Sequence, residues 1–445
     1  MNVGEKTLLR RRRFFPPALF ICLLCCCSQP VFACGAEGSP RSFVLPGVSL
    51  VEGRQTSLFL HQATSSFRVY AFRDGAPIAI PFQIDKRDRR DRWVLELGKW
   101  SNADALVKEF DENDALVFMN RDLGQRGVLA QLPSGATVWG EVRVGREHEP
   151  LGFVYVGVFT HPPPLSCGEC VAARYDEASD QVYAERYALA FHAPLPTHVA
   201  FVDKIGEFGE NIIAGVHAVG DVRFLGGLVA LHRTDVDIHA ELLGYRNGPI
   251  RALRRARYWI PLPFGFHTTG RVDLLFYRDF VEGTALLKIA VPPKLVLASG
   301  ELRTYFDFLQ QNGARVLLED GVPSEPVDGR VTSAKQLLTG RTARWAALLL
   351  PEGRTVLFIV RLAGALQRLE QQLYFDDEAK TDKNVGGRPL FGFQFTHVDQ
   401  LQTGTHRLSV FACVLESMTP EDIRRTANMF LSPPEVTVAQ LHASS

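Results

Sequence analysis

The chain has 445 residues, 46% hydrophobic and 22% charged, with 49 Lys and Arg against 49 Asp and Glu. At ~100–200 residues per domain this length holds two or three packed units, and the composition excludes a disordered, collagenous or long coiled-coil chain. Without its first 33 residues the chain carries 44 basic and 48 acidic residues; a domain that binds phosphate backbones shows a basic excess, so nucleic acid is not an expected partner.

The N-terminus opens on Arg10-Arg-Arg-Arg13, runs through an apolar stretch from Phe14 to Cys27 and ends at Val31-Phe-Ala-Cys34. This is the pattern of a signal peptide over residues 1–33; its apolar stretch is shorter than the ~20 residues of a membrane span. Val31 and Ala33 suit an ordinary signal peptidase, whereas the same tetrapeptide resembles a bacterial lipobox in which Cys34 becomes the lipidated first residue. The expectation is an exported protein on the periplasmic side of the cell envelope. It is either soluble or held at the outer membrane only by acyl chains on Cys34, at ~0.8 kcal/mol per buried methylene.

From Ser42 onward, short runs rich in Val, Phe, Leu and Tyr are broken by Gly, Pro, Asp and Asn every ~10 residues, the rhythm of antiparallel sandwiches. Strands are predicted at 57–61, 67–72, 115–119, 137–144 and 153–159. The triple proline of His161-Pro-Pro-Pro-Leu-Ser-Cys-Gly-Glu-Cys170 offers no amide donors to a sheet. Residues 161–186 are therefore expected to link an N-terminal β module, 34–160, to a larger domain, 187–445. Within that domain, 234–242 alternates with period two and is predicted to be one strand. Glu301 to Gln311 reads either as a short helix or as a hairpin arm, and Asn312-Gly313 between two apolar runs favours the hairpin through a type I′ turn. Residues 419–431 read as a helix: Thr419 can cap it, Pro420 suits its first position, acids fill its first turn, and Pro433 and Pro434 follow it. The fold class is mainly β, with an N-terminal β-sandwich-like module followed by a larger antiparallel β-sandwich and one C-terminal helix.

The segment Ile80-Pro-Phe-Gln-Ile-Asp-Lys-Arg-Asp-Arg-Arg-Asp-Arg-Trp93, with Asp111-Glu-Asn-Asp-Ala-Leu-Val-Phe118 after it, is the most distinctive. Pro81, Gln83 and Asp85 before an acidic turn, and Asp114-Ala-Leu-Val-Phe118 as the following strand, resemble the opening module of exported bacterial polysaccharide-active proteins, including exo-rhamnogalacturonan-lyase-like families. Ala115 stands where those relatives have an acid, and residues 92–109 separate turn from strand. The resemblance implies a polysaccharide context, not a catalytic residue. Asp85, Asp88, Asp91, Asp111, Asn113 and Asp114 could offer oxygens to Ca²⁺, but no glycine provides the tight turn, so solvated Asx turns are expected. The acidic stretch 376–384 is read in the same way.

Arg251, Arg255, Arg257 and Trp259 fall on one face if residues 251–259 form a strand. Guanidinium forks bind carboxylates, and aromatic rings stack on sugars, so this face is the expected contact for an anionic polysaccharide or another envelope component. Arg254 belongs to the same basic run. Asp235-x-Asp-x-His239 lacks a fourth metal ligand, and His232, His267 and His397 are not brought to it by sequence, so no metal or cofactor is expected. Cys167 and Cys170 are expected to form a local disulfide, and Cys413 to remain a buried thiol.

These features predict an exported, lipid-anchored envelope protein that binds, and in one version processes, an anionic polysaccharide. If it acts as a lyase, Tyr258 or Tyr277 is the candidate base, with an arginine neutralising the uronate. Two alternatives stand beside it. One is a non-catalytic envelope scaffold, in which the arginines pair with Asp235, Asp237 and Glu241. The other is a thiol redox protein using Cys167 and Cys170. No Gly-x-Ser-x-Gly elbow, phosphate-binding loop or His-Glu-x-x-His is present, which disfavours the hydrolase classes that carry them.

Overall fold

The computed structural model describes residues 45–442 except 101–106, 166–170, 193–194, 203–207, 225–226, 262–266, 290–292, 310–312 and 379–387. The signal peptide, Cys34, Cys167 and Cys170 lie outside these residues.

The described chain is mainly β and builds four sheets of three, five, eight and nine antiparallel strands. Ala115–Met119 is central to the three-stranded sheet, between Val48–Glu52 and Gln83–Asp85. Every residue of Ala115–Met119 is buried. Leu116 and Phe118 pack toward Val142, Val154 and Val156 of the five-stranded sheet. Ala115, Val117 and Met119 pack against Leu253, Leu275, Phe411 and Cys413 of the eight-stranded sheet. A strand covered on both faces has no solvent side to mark with polar residues, which is why this stretch is an unbroken apolar run. The other face of the eight-stranded sheet meets the nine-stranded sheet across a core that includes Ala252, Phe276, Phe358, Phe391 and Phe393.

The helix is Pro420–Leu431, with the Thr419 side chain accepting from the Asp422 amide and Pro420 in its first turn. Ile423, Thr426, Ala427 and Phe430 form its buried stripe, and Ile423, Ala427 and Phe430 join the apolar core beneath the eight-stranded sheet. Burying a large apolar side chain there contributes ~1.5–3 kcal/mol. Cys413 is a free thiol, 1% exposed, in the same core, and burial pushes its pKa well up.

Several expected elements differ. Residues Ser57–Phe59 form a 3-10 turn, because the Thr56 hydroxyl accepts from the Leu58 amide and offers the backbone a local partner in place of a neighbouring strand. The alternating stretch from Thr234 is broken in the same way. Asp235–Asp237 is a 3-10 turn closed by the Thr234 and Asp237 side chains, and the strand begins only at His239. The stretch expected to be a linker contains the strands Ala173–Asp176 and Gln181–Ala184, which pair with each other and extend the nine-stranded sheet. The strand Val436–Gln440 leaves the C-terminal domain and pairs with Ala136–Arg146 in the N-terminal sheet. The strand Leu297–Phe308 pairs within the nine-stranded sheet, whereas Arg315–Leu317 pairs with Trp345–Leu349 in the eight-stranded one. The chain around Gly313, whose φ is 91°, therefore passes between sheets and does not close a hairpin.

Candidate functional site

The site is built on the face of the eight-stranded sheet that looks toward the N-terminal module. Five strands carry it: Ala252–Pro261, His267–Phe276, Phe280–Ile289, Gly404–Leu415 and Thr355–Leu362, neighbours in that order. Their registers align side chains in rows. Leu275, Glu282 and Phe411 form one row; Arg255, Asp273, Thr284, Ser409 and Arg361 the next; Arg257, Arg271, Leu286 and Arg407 the third. The first row continues the apolar core, while the second and third rise beyond it and become polar.

Where the N-terminal module no longer covers these rows, a cleft of about 890 Å³ opens. Leu275, Phe280 and Phe411 line its base; Glu282, Asp273, Arg271, Arg361 and Arg407 its sheet wall; Arg87, Arg90 and Trp93 part of the opposite wall. Two guanidinium groups lie over the Trp93 ring, Arg87 3.9 Å and Arg251 4.6 Å from its centroid. Each such contact contributes ~0.5–2 kcal/mol.

The arginines of this face divide into two groups. Arg251 is 2% exposed, donates from Nε to Asp85 Oδ2 at 2.7 Å and from Nη1 to the Tyr277 hydroxyl at 2.5 Å. Arg255 is 6% exposed and grips Asp273 through two bonds of 2.6 and 2.7 Å. Arg257 is exposed and pairs with Glu241 at 2.6 Å. Arg254, on the opposite face, donates to both Asp180 oxygens.

Arg271, Arg361 and Arg407 have no carboxylate of their own. The nearest to Arg271 is Asp273 at 3.6 Å, already held by Arg255. Arg361 lies 5.2 Å over the Phe411 ring and donates only to the Phe430 carbonyl, at 3.3 Å. Neither Arg361 nor Arg407 has an ion pair among the described residues. Burial lowers the pKa of Arg271, with Arg255 and Arg92 also disfavouring its charge, and burial lowers that of Arg361, with Arg407 beside it. Asp273 favours the Arg271 charge and Glu282 that of Arg361, but in each case burial outweighs the carboxylate, so these charges are only partly compensated. Arg271 and Arg407 are two strand spacings, ~10 Å, apart.

Of the residues expected to contact a ligand, Arg251, Arg255, Arg257 and Trp259 do share a face, but only Arg251 lines the cleft. Trp259 stacks on His239, with 5.4 Å between ring centroids. The expected partners Asp235 and Asp237 are elsewhere, Asp235 3.3 Å from His217 and Asp237 accepting from the Thr234 amide. Tyr277 is fully buried and burial drives its pKa far up; burial pushes that of Tyr258 up to about 12. Tyr258 points to the other face of the sheet, over Gly270. Neither tyrosine lines the cleft, and a raised pKa works against a tyrosinate base.

Gln83 and Asp85, part of the motif that carried the family resemblance, hold the start of the arginine strand in place. Gln83 Oε1 accepts from the amides of Ile250 and Arg251 at 3.0 and 3.1 Å, and its amide group donates to Asp85 at 2.6 Å. A Cβ at position 248 would lie 2.2 Å from Gln83 Oε1, so the turn needs Gly248. The acidic stretches are engaged in local bonds. Asp88 accepts from the amides of Arg90 and Arg92, Asp111 from that of Asn113, and Asp114 from Lys86 at 2.5 Å. Asp377 is buried and pairs with Lys335. His232 contacts Asp221 at 2.6 Å and His397 contacts Glu370 at 3.4 Å. Among the described residues no group of three or more His, Cys, Asp or Glu is arranged to hold a metal ion.

Arg271, Glu282, Arg361 and Arg407 were not singled out by sequence. The available signal was a charged residue at an inward position of an otherwise apolar alternating strand, as in Arg407-Leu-Ser-Val-Phe411.

The chain matches no sequence family and no curated protein. Among solved structures it is similar to an alpha-mannosidase from Enterococcus faecalis V583, with 10% identity over 90% of this chain and 45% of that one and a TM-score of 0.47. It is also similar to a protein of glycosyl hydrolase family 38 from Enterococcus faecalis, with 10% identity over 90% of this chain and 46% of that one and a TM-score of 0.45. An alpha-N-acetylgalactosaminidase from Bifidobacterium bifidum aligns at 11% identity over 59% of this chain and 37% of that one, with a TM-score of 0.33. The chain spans less than half the length of these structures.

Proposed function

We propose that the protein is exported through its leader, is anchored by lipid at Cys34, and binds an anionic polysaccharide along the arginine cleft. The observation that carries this reading is the set of Arg271, Arg361 and Arg407, which line one open cleft with only a shared carboxylate, Asp273 at 3.6 Å, within ion-pair distance of any of them among the described residues. A polymer with carboxylate groups supplies the missing counter-charges, and guanidinium forks engage carboxylates in bidentate fashion. The apolar base offers a surface for sugar C–H faces. The scaffold reading draws its support from the strand Ala252–Pro261, whose arginines are neutralised within the fold. It describes that strand and leaves the cleft unaccounted for.

Titration calorimetry of the chain from residue 34 with polygalacturonate and with neutral dextran tests the binding. Polygalacturonate alone is expected to bind, and the double variant Arg361→Gln/Arg407→Gln to weaken it at least tenfold with an unchanged melting temperature. Equal binding of dextran, or wild-type affinity in the variant, sinks the reading. Mass spectrometry of the mature N-terminus tests the anchor, since an unmodified first residue removes it.

A further inference from the structure

The cleft also holds carboxylates: Glu52 and Asp91 pair with Arg87, Asp273 is gripped by Arg255, Glu435 lies beside Val436, and Glu282 stands in the sheet wall. Glu282 lies in the strand Phe280–Ile289 between Leu275 and Phe411 of the neighbouring strands. It is half-buried and lines the cleft. Its charge is felt by Arg251 and Arg361, yet no cation lies within ion-pair distance of it among the described residues. A half-buried carboxylate with no protein donor among the described residues keeps acceptor lone pairs open to the cleft. It also repels any anion that enters.

We propose that Glu282 is the specificity-determining residue of the cleft and accepts hydrogen bonds from the ring hydroxyls of a sugar whose acidic group lies on the neighbouring arginines. This rests on the polysaccharide reading above and narrows it to a hydroxyl-rich acidic sugar such as a hexuronate. The two groups act together. Arginines alone would take any polyanion; the carboxylate charges every anion a repulsion that only a ligand with hydroxyl donors at the right place offsets. It stands in the row of Leu275 and Phe411, next to the row of Arg361, so acceptor, C–H surface and cation share one wall of the cleft.

The test compares two polyanions, polygalacturonate and inorganic polyphosphate, on the wild type and on Glu282→Gln and Glu282→Asp at fixed salt. Polyphosphate has no hydroxyl groups along its chain. Glu282→Gln is expected to bind polygalacturonate about tenfold more weakly and polyphosphate more tightly, and retained polyphosphate binding shows that the variant is folded. Glu282→Asp keeps the charge and withdraws the acceptor, so it should weaken polygalacturonate without tightening polyphosphate. If both polymers tighten in parallel in Glu282→Gln, or neither changes, Glu282 is only a source of repulsion or a bystander and this inference falls while polysaccharide binding stands. If the wild type binds no polygalacturonate, both fall.

Discussion

Two sets of arginines share one face of the eight-stranded sheet and differ in what the fold does with their charge. On the strand Ala252–Pro261 and just before it, Arg251, Arg255 and Arg257 each meet a carboxylate, from Asp85, Asp273 and Glu241 respectively. From His267–Phe276 onward, among the described residues, Arg271 reaches only Asp273, already gripped by Arg255, and Arg361 and Arg407 form no ion pair. Arg251 and Arg255 fasten the N-terminal module to the sheet, through Asp85 and the Trp93 carbonyl, while Arg257 pairs within the sheet; the second set faces an open cleft. Residue type and strand periodicity are the same in both, so neither marks a binding residue. What separates them is the presence of a counter-charge and of a cover.

The sharpest way to break this comparison is to treat an arginine of the first set as a binding residue. Arg251→Gln leaves Asp85 buried with less of its partner charge, and removing one member of a buried pair costs ~3–5 kcal/mol. Chemical denaturation should show a loss of this order. The acid limb gives a second readout. Burial on its own would raise the Asp85 pKa, but Arg251, Arg246 and the bond from Gln83 outweigh it and hold it below the usual carboxylate value. Stability from this group is complete above its unfolded pKa and is lost as pH falls through the folded one, and Arg251→Gln should flatten that acid loss. An unchanged denaturation midpoint would show that Arg251 is not a fastening residue.

A charge of opposite behaviour lies on the nine-stranded sheet. His217 lies between Asp235 at 3.3 Å and Asp307 at 3.4 Å, beside Tyr305, with Arg388 also on Asp307. Burial would lower its pKa, but the two aspartates raise it to about 9. A raised folded pKa gives stability that is full below the unfolded value near 6.5 and is lost as pH rises toward 9, on the order of 3 kcal/mol. Thermal melts across that window should show the decline in the wild type, and His217→Gln should abolish it. A flat wild-type profile would refute the pairing.

For the second set the expected loss is in binding and not in stability. A tenfold loss of polygalacturonate affinity in Arg361→Gln/Arg407→Gln corresponds to ~1.4 kcal/mol, with the denaturation midpoint unmoved. A fall in midpoint comparable to that of Arg251→Gln would erase the distinction between the two sets. The smallest effect belongs to Arg257→Gln. Its pair with Glu241 is exposed and screened by solvent, so both midpoint and affinity should match the wild type.

The mainly β class, the strands 67–72, 115–119, 137–144 and 153–159, and the capped helix Pro420–Leu431 were legible in the sequence. Periodicity, capping side chains and proline placement act within a few residues of one another, where local sterics and hydrogen bonds decide the conformation. The shared face of Arg251, Arg255, Arg257 and Trp259 was legible for the same reason, since alternation is a local property. Three matters were decided only by tertiary structure. Ala115–Met119 is covered on both faces because three sheets stack around it. Val436–Gln440 completes a sheet begun at residue 67. The arginine at position 255 is structural and the one at 271 is open because Asp273, directly across from the first, is reached by both and gripped by only one. Burial and counter-charge are set by residues distant in the chain, and no local pattern encodes which carboxylate will arrive or which face will be left uncovered.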